Sequence, residues 1–160
     1  MRRVPIRRIL VVALLASACA TATAGGFRLF YDDGYNDQYD SSAALFKRKN
    51  CRGGNDLASF SLDSKAIKRL KRKIRQVHFF KLPDRIEPNS DGETITICGP
   101  CGESRLTVET GFKSRTIEWE CNCATRGDPD ELAPLLKELR EILYSAPAIA
   151  GLPESACYYY

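Results

Sequence analysis

Histidine occurs once in this chain, as do tryptophan and methionine. A single histidine, His78, cannot build a His-rich metal centre, and a His-centred acid–base constellation would have to rest on it alone. Its place behind an apolar stretch suits a core-edge residue better than a ligand or base. There is no Gly-rich phosphate loop, and no paired carboxylates that spacing alone brings together. No internal repeat and no long linker occur, which excludes a solenoid or a multi-domain array. No apolar run reaches the ~18–20 residues a spanning helix needs. These absences lean away from an enzyme and call for no cofactor.

Net charge is a further absence. Four of the 24 basic residues (Arg2, Arg3, Arg7 and Arg8) lie in the first eight positions, which hold no acid. Residues 9–16 are uncharged and rich in Leu, Val and Ala, and small residues follow. This is the charged, apolar, small-residue order of a secretory signal peptide. Ala22-Thr-Ala24 before Gly25 is an A-x-A site, giving a cleaved leader 1–24 and a single domain 25–160. Leu15-Ala-Ser-Ala-Cys19 also resembles a bacterial lipobox, with Ala16 where Leu is preferred; a leader 1–18 would then leave Cys19 lipidated. Without the leader, 20 basic residues balance 20 acidic ones. The basicity of the whole chain therefore gives no argument for nucleic-acid binding. Membrane association is expected only through a lipid on Cys19.

The remaining pattern is that of a small α+β domain. Phe27-Arg-Leu-Phe-Tyr31 alternates as a first strand does. Residues 32–40 are acidic, with Tyr35 and Tyr39 interleaved. They miss the order of a calcium loop and read as a solvated turn. Short extended segments are expected at 43–49 and 58–62, with a loop at 51–56. Asp63 caps a helix running to Val77, in which Ala66, Ile67, Leu70, Ile74 and Val77 form an apolar stripe. Its other face holds Lys65, Lys68, Arg69, Lys71, Arg72, Lys73 and Arg75. That face is either a solvated surface partly neutralised by the 32–40 acids or a dock for an anionic surface such as lipopolysaccharide or an acidic protein. Its interaction candidates are Lys65, Lys68, Arg69, Arg72, Lys73 and Arg75.

Phe79-Phe80-Lys-Leu-Pro83 ends the helix, because proline cannot continue it. Three alternating strands are expected at 94–97, 106–108 and 117–119. Pairing Thr110 with Arg115 across a four-residue turn sets Val108 opposite Ile117 and Leu106 opposite Trp119. The same register puts Cys121 beside Ser104, Cys123 beside Gly102, and both near the Cys98–Cys101 loop. A last helix over 130–144, capped by Asp130, buries Leu132, Leu135, Leu136, Leu139, Ile142 and Leu143, with Lys137, Glu138, Arg140 and Glu141 outward. Residues 147–153 form an apolar tail.

Beyond Cys19, six cysteines remain: Cys51, Cys98, Cys101, Cys121, Cys123 and Cys157. Cys98-Gly-Pro-Cys101 is a thiol–disulfide oxidoreductase string. That chemistry needs the first cysteine at a helix N-terminus, and here Gly102 and a strand follow. Cys98, Cys101, Cys121 and Cys123 also resemble a zinc ribbon, though Cys-x-Cys makes a poor second knuckle. In an exported chain an even six reads most simply as disulfides. The 98/101 loop would pair with 121/123, leaving Cys51 for Cys157 by elimination.

The order of a helix ending in Phe79-Phe80-Lys-Leu-Pro83, a Ser90-Asp91-Gly92 loop, a strand meander and a helix opening at Pro129-Asp-Glu-Leu resembles emfourin-type inhibitors of thermolysin-like metalloproteases. It covers residues 60–145. The resemblance implies an α+β inhibitor. The export signal and six cysteines are additions to its pattern, and no inhibitory residue maps across. The expected architecture is thus a small antiparallel sheet (meander 94–123 plus N-terminal strands) packed by two helices and stapled by disulfides. The expected role is a non-catalytic binding or inhibitor module of the bacterial envelope, its partner a protein or an anionic envelope component.

Overall fold

A computed structural model describes residues 26–50, 53–87, 102–120 and 128–155. The leader, the 94–97 strand, the Ser90-Asp91-Gly92 loop and all seven cysteines, with their disulfide, zinc, redox and lipidation readings, lie outside the described residues. The expected α+β class is what the chain adopts: seven strands in one sheet, with helices.

The strands are β1 (Phe27–Asp32), β2 (Asp37–Asp40), β3 (Leu45–Asn50), β4 (Gly54–Ser59), β5 (Arg85–Ile86), β6 (Glu103–Thr110) and β7 (Lys113–Glu120). Their order is β4-β3-β2-β1-β6-β7-β5. β1 to β4 form an antiparallel meander, and β6 pairs antiparallel with both β1 and β7. The sheet is nevertheless mixed, not purely antiparallel, because the two-residue β5 runs parallel to β7. Alternation sends Phe27, Leu29, Tyr31, Tyr39, Phe46, Leu106, Val108, Ile117 and Trp119 to one buried face. Arg28, Gln38, Lys47, Arg105 and Thr116 alternate to the other.

The 32–40 stretch is not simply a solvated turn. The Asp33 carboxylate accepts the amides of Tyr35, Asn36 and Asp37 at 2.8–3.0 Å, which folds the β1–β2 connection. The rest becomes β2, with Tyr39 fully buried and Asp37 nearly so. Likewise residues 54–56 belong to β4, not to a loop, since they pair with β3.

The first helix, α1 (Ser64–Gln76), has the predicted boundaries. Asp63 Oδ1 accepts the Ala66 amide at 2.6 Å, an N-cap worth about 1 kcal/mol. Leu70 and Ile74 are buried, each contributing about 1.5–3 kcal/mol. His78 ends the helix at φ 51°, in the left-handed region. It is exposed and not a core-edge residue, whereas Phe79, in a short 3-10 turn (Phe79–Lys81), is fully buried.

The second helix, α2 (Ala133–Tyr144), starts later than expected. The Pro129 carbonyl accepts the Leu132 and Ala133 amides, so backbone and not Asp130 closes the first turn. The six apolar residues predicted for its buried face are all buried. Glu138, expected outward, is buried as well. The apolar tail contains a third helix, α3 (Pro147–Ala150), which sinks Ile149 into the core.

The β6–β7 register also differs from expectation. Thr110 faces Lys113, Val108 faces Arg115 and Leu106 faces Ile117, two residues away from the predicted pairing. The turn has two central residues, Gly111 and Phe112, and Gly111 takes φ +59°. Positive φ at the first central residue is what a II′ hairpin turn requires, and such turns match strand twist better than a longer loop. The two-residue slip leaves every side chain on its predicted face, because the side-chain period is two.

Candidate functional site

Two buried polar networks fasten α2 to the sheet. Arg48 Nε and Nη2 each donate to Asp37 at 2.9 Å, and the Tyr144 hydroxyl donates to the same carboxylate at 3.0 Å. On β1, the Tyr31 hydroxyl accepts from Arg140 Nε at 3.0 Å, while Arg140 holds Asp128 through both terminal nitrogens. Burial pushes the Tyr31 phenol up to about 12 against the pull of Arg140. Burial and then the Asp37 charge raise Tyr144. Both phenols therefore stay protonated near neutral pH and are hydrogen-bonding struts, not bases.

A cavity of about 450 Å³ adjoins the first network, lined by Asp33, Asn36, Asp37, Arg48 and Tyr144 among others. Two of its charged groups, Asp37 and Arg48, already pair with one another. Burial raises the Asp33 carboxyl above its ordinary value, although three amide donors oppose this. Among the described residues no group of three or more His, Cys, Asp and Glu side chains is placed to hold a metal ion.

The third feature is different in kind. Where α1 ends, a groove of about 600 Å³ is lined by Lys71, Ile74, Arg75, His78, Phe79, Phe80, Lys81, Thr110 and Lys113. α1 supplies Lys71 and Arg75, the 3-10 turn supplies Lys81 and the aromatic floor, and the first residue of β7 supplies Lys113. Lys71 Nζ lies 5.6 Å from the centre of the Phe27 ring, and Lys113 Nζ lies 5.8 Å from that of Phe80. Such contacts hold ammonium groups over apolar surface without neutralising them. No carboxylate lines the groove, and none of the four cations has a carboxylate partner among the described residues.

The predicted interaction residues divide accordingly. Arg75 lines the groove. Lys65, Lys68 and Arg72 are exposed on α1, and Lys73 donates to Gln76 at 3.2 Å. Arg69 is neutralised by the buried Glu138 and by Glu141 at 3.7 Å. The counter-charge for α1 thus comes from α2 and not from the 32–40 acids, whose carboxylates serve turns and Arg48. Lys71, read only as part of the basic face, and Lys81 and Lys113 were not among the candidates. Their clustering depends on tertiary placement, and only the Gly111-Phe112 pair signals that Lys113 begins a strand.

Compared with known proteins, the chain matches no family model and no curated protein. No helix among the described residues is long and apolar enough to cross a membrane.

Proposed function

We propose that this is an exported, non-catalytic binding module of the bacterial envelope that docks an anionic partner in the groove at the end of α1. One observation carries the reading. Lys71, Arg75, Lys81 and Lys113 converge from three elements around an apolar floor, and among the described residues no acid lines it. Like charges gathered this way repel, and a fold gains nothing from the arrangement unless an anion relieves it. Three partly buried arginines of the same chain are each given an acid: Arg69 by Glu138, Arg140 by Asp128 and Arg48 by Asp37. Export is supported by the basic, apolar and small-residue order of residues 1–24.

Titration of the protein with polyglutamate, followed by two-dimensional amide NMR, tests the reading. Shifts should concentrate at Lys71, Arg75, His78, Lys81 and Lys113, and should vanish in Lys71→Glu/Lys113→Glu. Shifts spread evenly over all exposed lysines would reject the groove as the site.

A further inference from the structure

We infer that the β6–β7 hairpin tip and the adjoining groove form a surface that seats on an anionic lipid bilayer, with Phe112 as the inserting side chain. The inference rests on the reading of the groove as an anion dock and names the class of partner. Three independent observations carry it.

The first is Phe112 itself. It is fully exposed, while the other exposed large apolar side chains, Tyr35, Leu57 and Tyr144, keep between a third and two-thirds of their surface in water. A lone exposed apolar residue is ordinary on a protein surface. This one sits at the apex of a two-residue turn between two eight-residue strands, so the framework presents it and does not merely tolerate it. A protein partner would favour an aromatic packed in a patch or pocket. A single protruding ring flanked by cations suits the headgroup–acyl boundary of a membrane.

The second is charge. Thr110 and Lys113, the pair that closes the turn, both line the groove, so the apex and the cations Lys71, Arg75, Lys81 and Lys113 share one end of the molecule. The nearest described carboxylate along β6, Glu109, is held by Arg28 at 3.7 Å. When the ring enters the bilayer, the four cations lie at the level of lipid phosphates.

The third is the path of the chain. The Gly111 amide donates to the Gly26 carbonyl at 3.2 Å, and Phe27 pairs with Thr110. Gly26, the first described residue, therefore lies beside this tip. Cys19 stands seven positions before Gly26, which an extended chain covers in at most about 25 Å. A lipid on Cys19 would tether the domain to the membrane within that distance of this end.

The test uses the full chain carrying Phe112→Trp, mixed with vesicles of phosphatidylglycerol and phosphatidylcholine or of phosphatidylcholine alone. The only native tryptophan, Trp119, is buried, so the response reports position 112, and Phe112→Trp placed in the Lys71→Glu/Lys113→Glu background separates docking by the groove from lipid binding by residues 1–24. A blue shift with anionic vesicles, quenching by brominated acyl chains and no response to neutral vesicles are expected. In Lys71→Glu/Lys113→Glu the partition coefficient should fall at least roughly 30-fold, given ~1 kcal/mol for each basic residue removed near an anionic surface and the added repulsion of two carboxylates. Phe112→Ser, read by co-sedimentation, should lower it about tenfold. Equal shifts with neutral and anionic vesicles would overturn the anionic surface. No shift with either, while polyglutamate still perturbs the groove, would overturn the bilayer as partner and leave the anion dock standing. No response to vesicles or to polyglutamate would overturn both.

Discussion

Replacing Asp37 by Ala should remove about 3 kcal/mol of stability. Asp37 is 6% exposed and accepts three hydrogen bonds: two from the Arg48 guanidinium at 2.9 Å and one from Tyr144 at 3.0 Å. Removing one partner of a buried ion pair costs about 3–5 kcal/mol, because the remaining charge keeps its desolvation penalty and loses its attraction. The lower end applies here. The Arg48 side chain is 14% exposed and still reaches the Pro153 carbonyl at 3.3 Å. Against a typical total of 5–15 kcal/mol this is a large fraction. For a domain of this size it corresponds to a fall of about 10–12 °C in Tm. Urea unfolding followed by Trp119 emission measures it, since that indole lies in the core and is the only one. A double-mutant cycle with Arg48→Met isolates the pair and should give a coupling of about 2 kcal/mol. The triple change Asp37→Leu, Arg48→Met, Tyr144→Phe should recover most of the loss, because no polar group is then left unpaired. A D37A cost within ~0.5 kcal/mol, the range of an ordinary surface change, would refute the claim that this network fastens α2 to the sheet.

Gly102 and Gly34 pass so closely that a Cβ on Gly102 would lie 2.1 Å from the Gly34 carbonyl oxygen, with no side chain able to move away. Gly102→Ala should therefore cost at least about 1–3 kcal/mol in denaturant unfolding, whereas Gly54→Ala, with no atom near its Cβ, should stay within about 0.5 kcal/mol. Asp33→Asn keeps the acceptor for three backbone amides but removes a partly buried charge. Because the folded-state pKa of Asp33 is raised, the folded protein holds this proton where the unfolded chain has lost it, and the burial penalty is complete only above the raised pKa. The variant should thus be at least as stable as the parent at pH 7, with its advantage shrinking as pH falls through the raised value towards 3.8. A loss of more than ~1 kcal/mol at pH 7 would show that charge-strengthened amide bonds outweigh desolvation.

What could be read from sequence followed the range of the interactions involved. α1 was legible to its cap because Asp63 and the apolar stripe act within a few residues. The buried face of α2 was legible for the same reason, but Glu138 was not. Its outward assignment follows from its being a carboxylate, and only Arg69, 69 positions away, makes its burial tolerable. The same holds for Asp37, whose partners lie 11 and 107 positions off. A charged residue in a helical or strand pattern reads as solvent-facing until the opposite charge on another element is known.

The β6–β7 hairpin shows how a small misreading conceals a site and leaves the fold intact. A four-residue turn and a two-residue turn differ by two in register, so the buried faces of both strands coincide in either reading. Core, sheet and helix packing come out the same. Only the tip differs. With four turn residues, Phe112 and Lys113 belong to a loop of no fixed direction. With two, Phe112 becomes the apex and Lys113 the first residue of β7, its ammonium over Phe80. The groove is completed only in the second arrangement, because one of its four cations is placed by the turn and the other three by the 3-10 segment and α1. Insertion of two glycines after Phe112 separates the contributions. It should leave unfolding stability within about 1 kcal/mol, as lengthened surface loops do, while lowering selective association with phosphatidylglycerol vesicles, measured by co-sedimentation, by up to about tenfold. Retained association in that variant would mean that the basic face of α1 suffices and that the rigid apex is incidental.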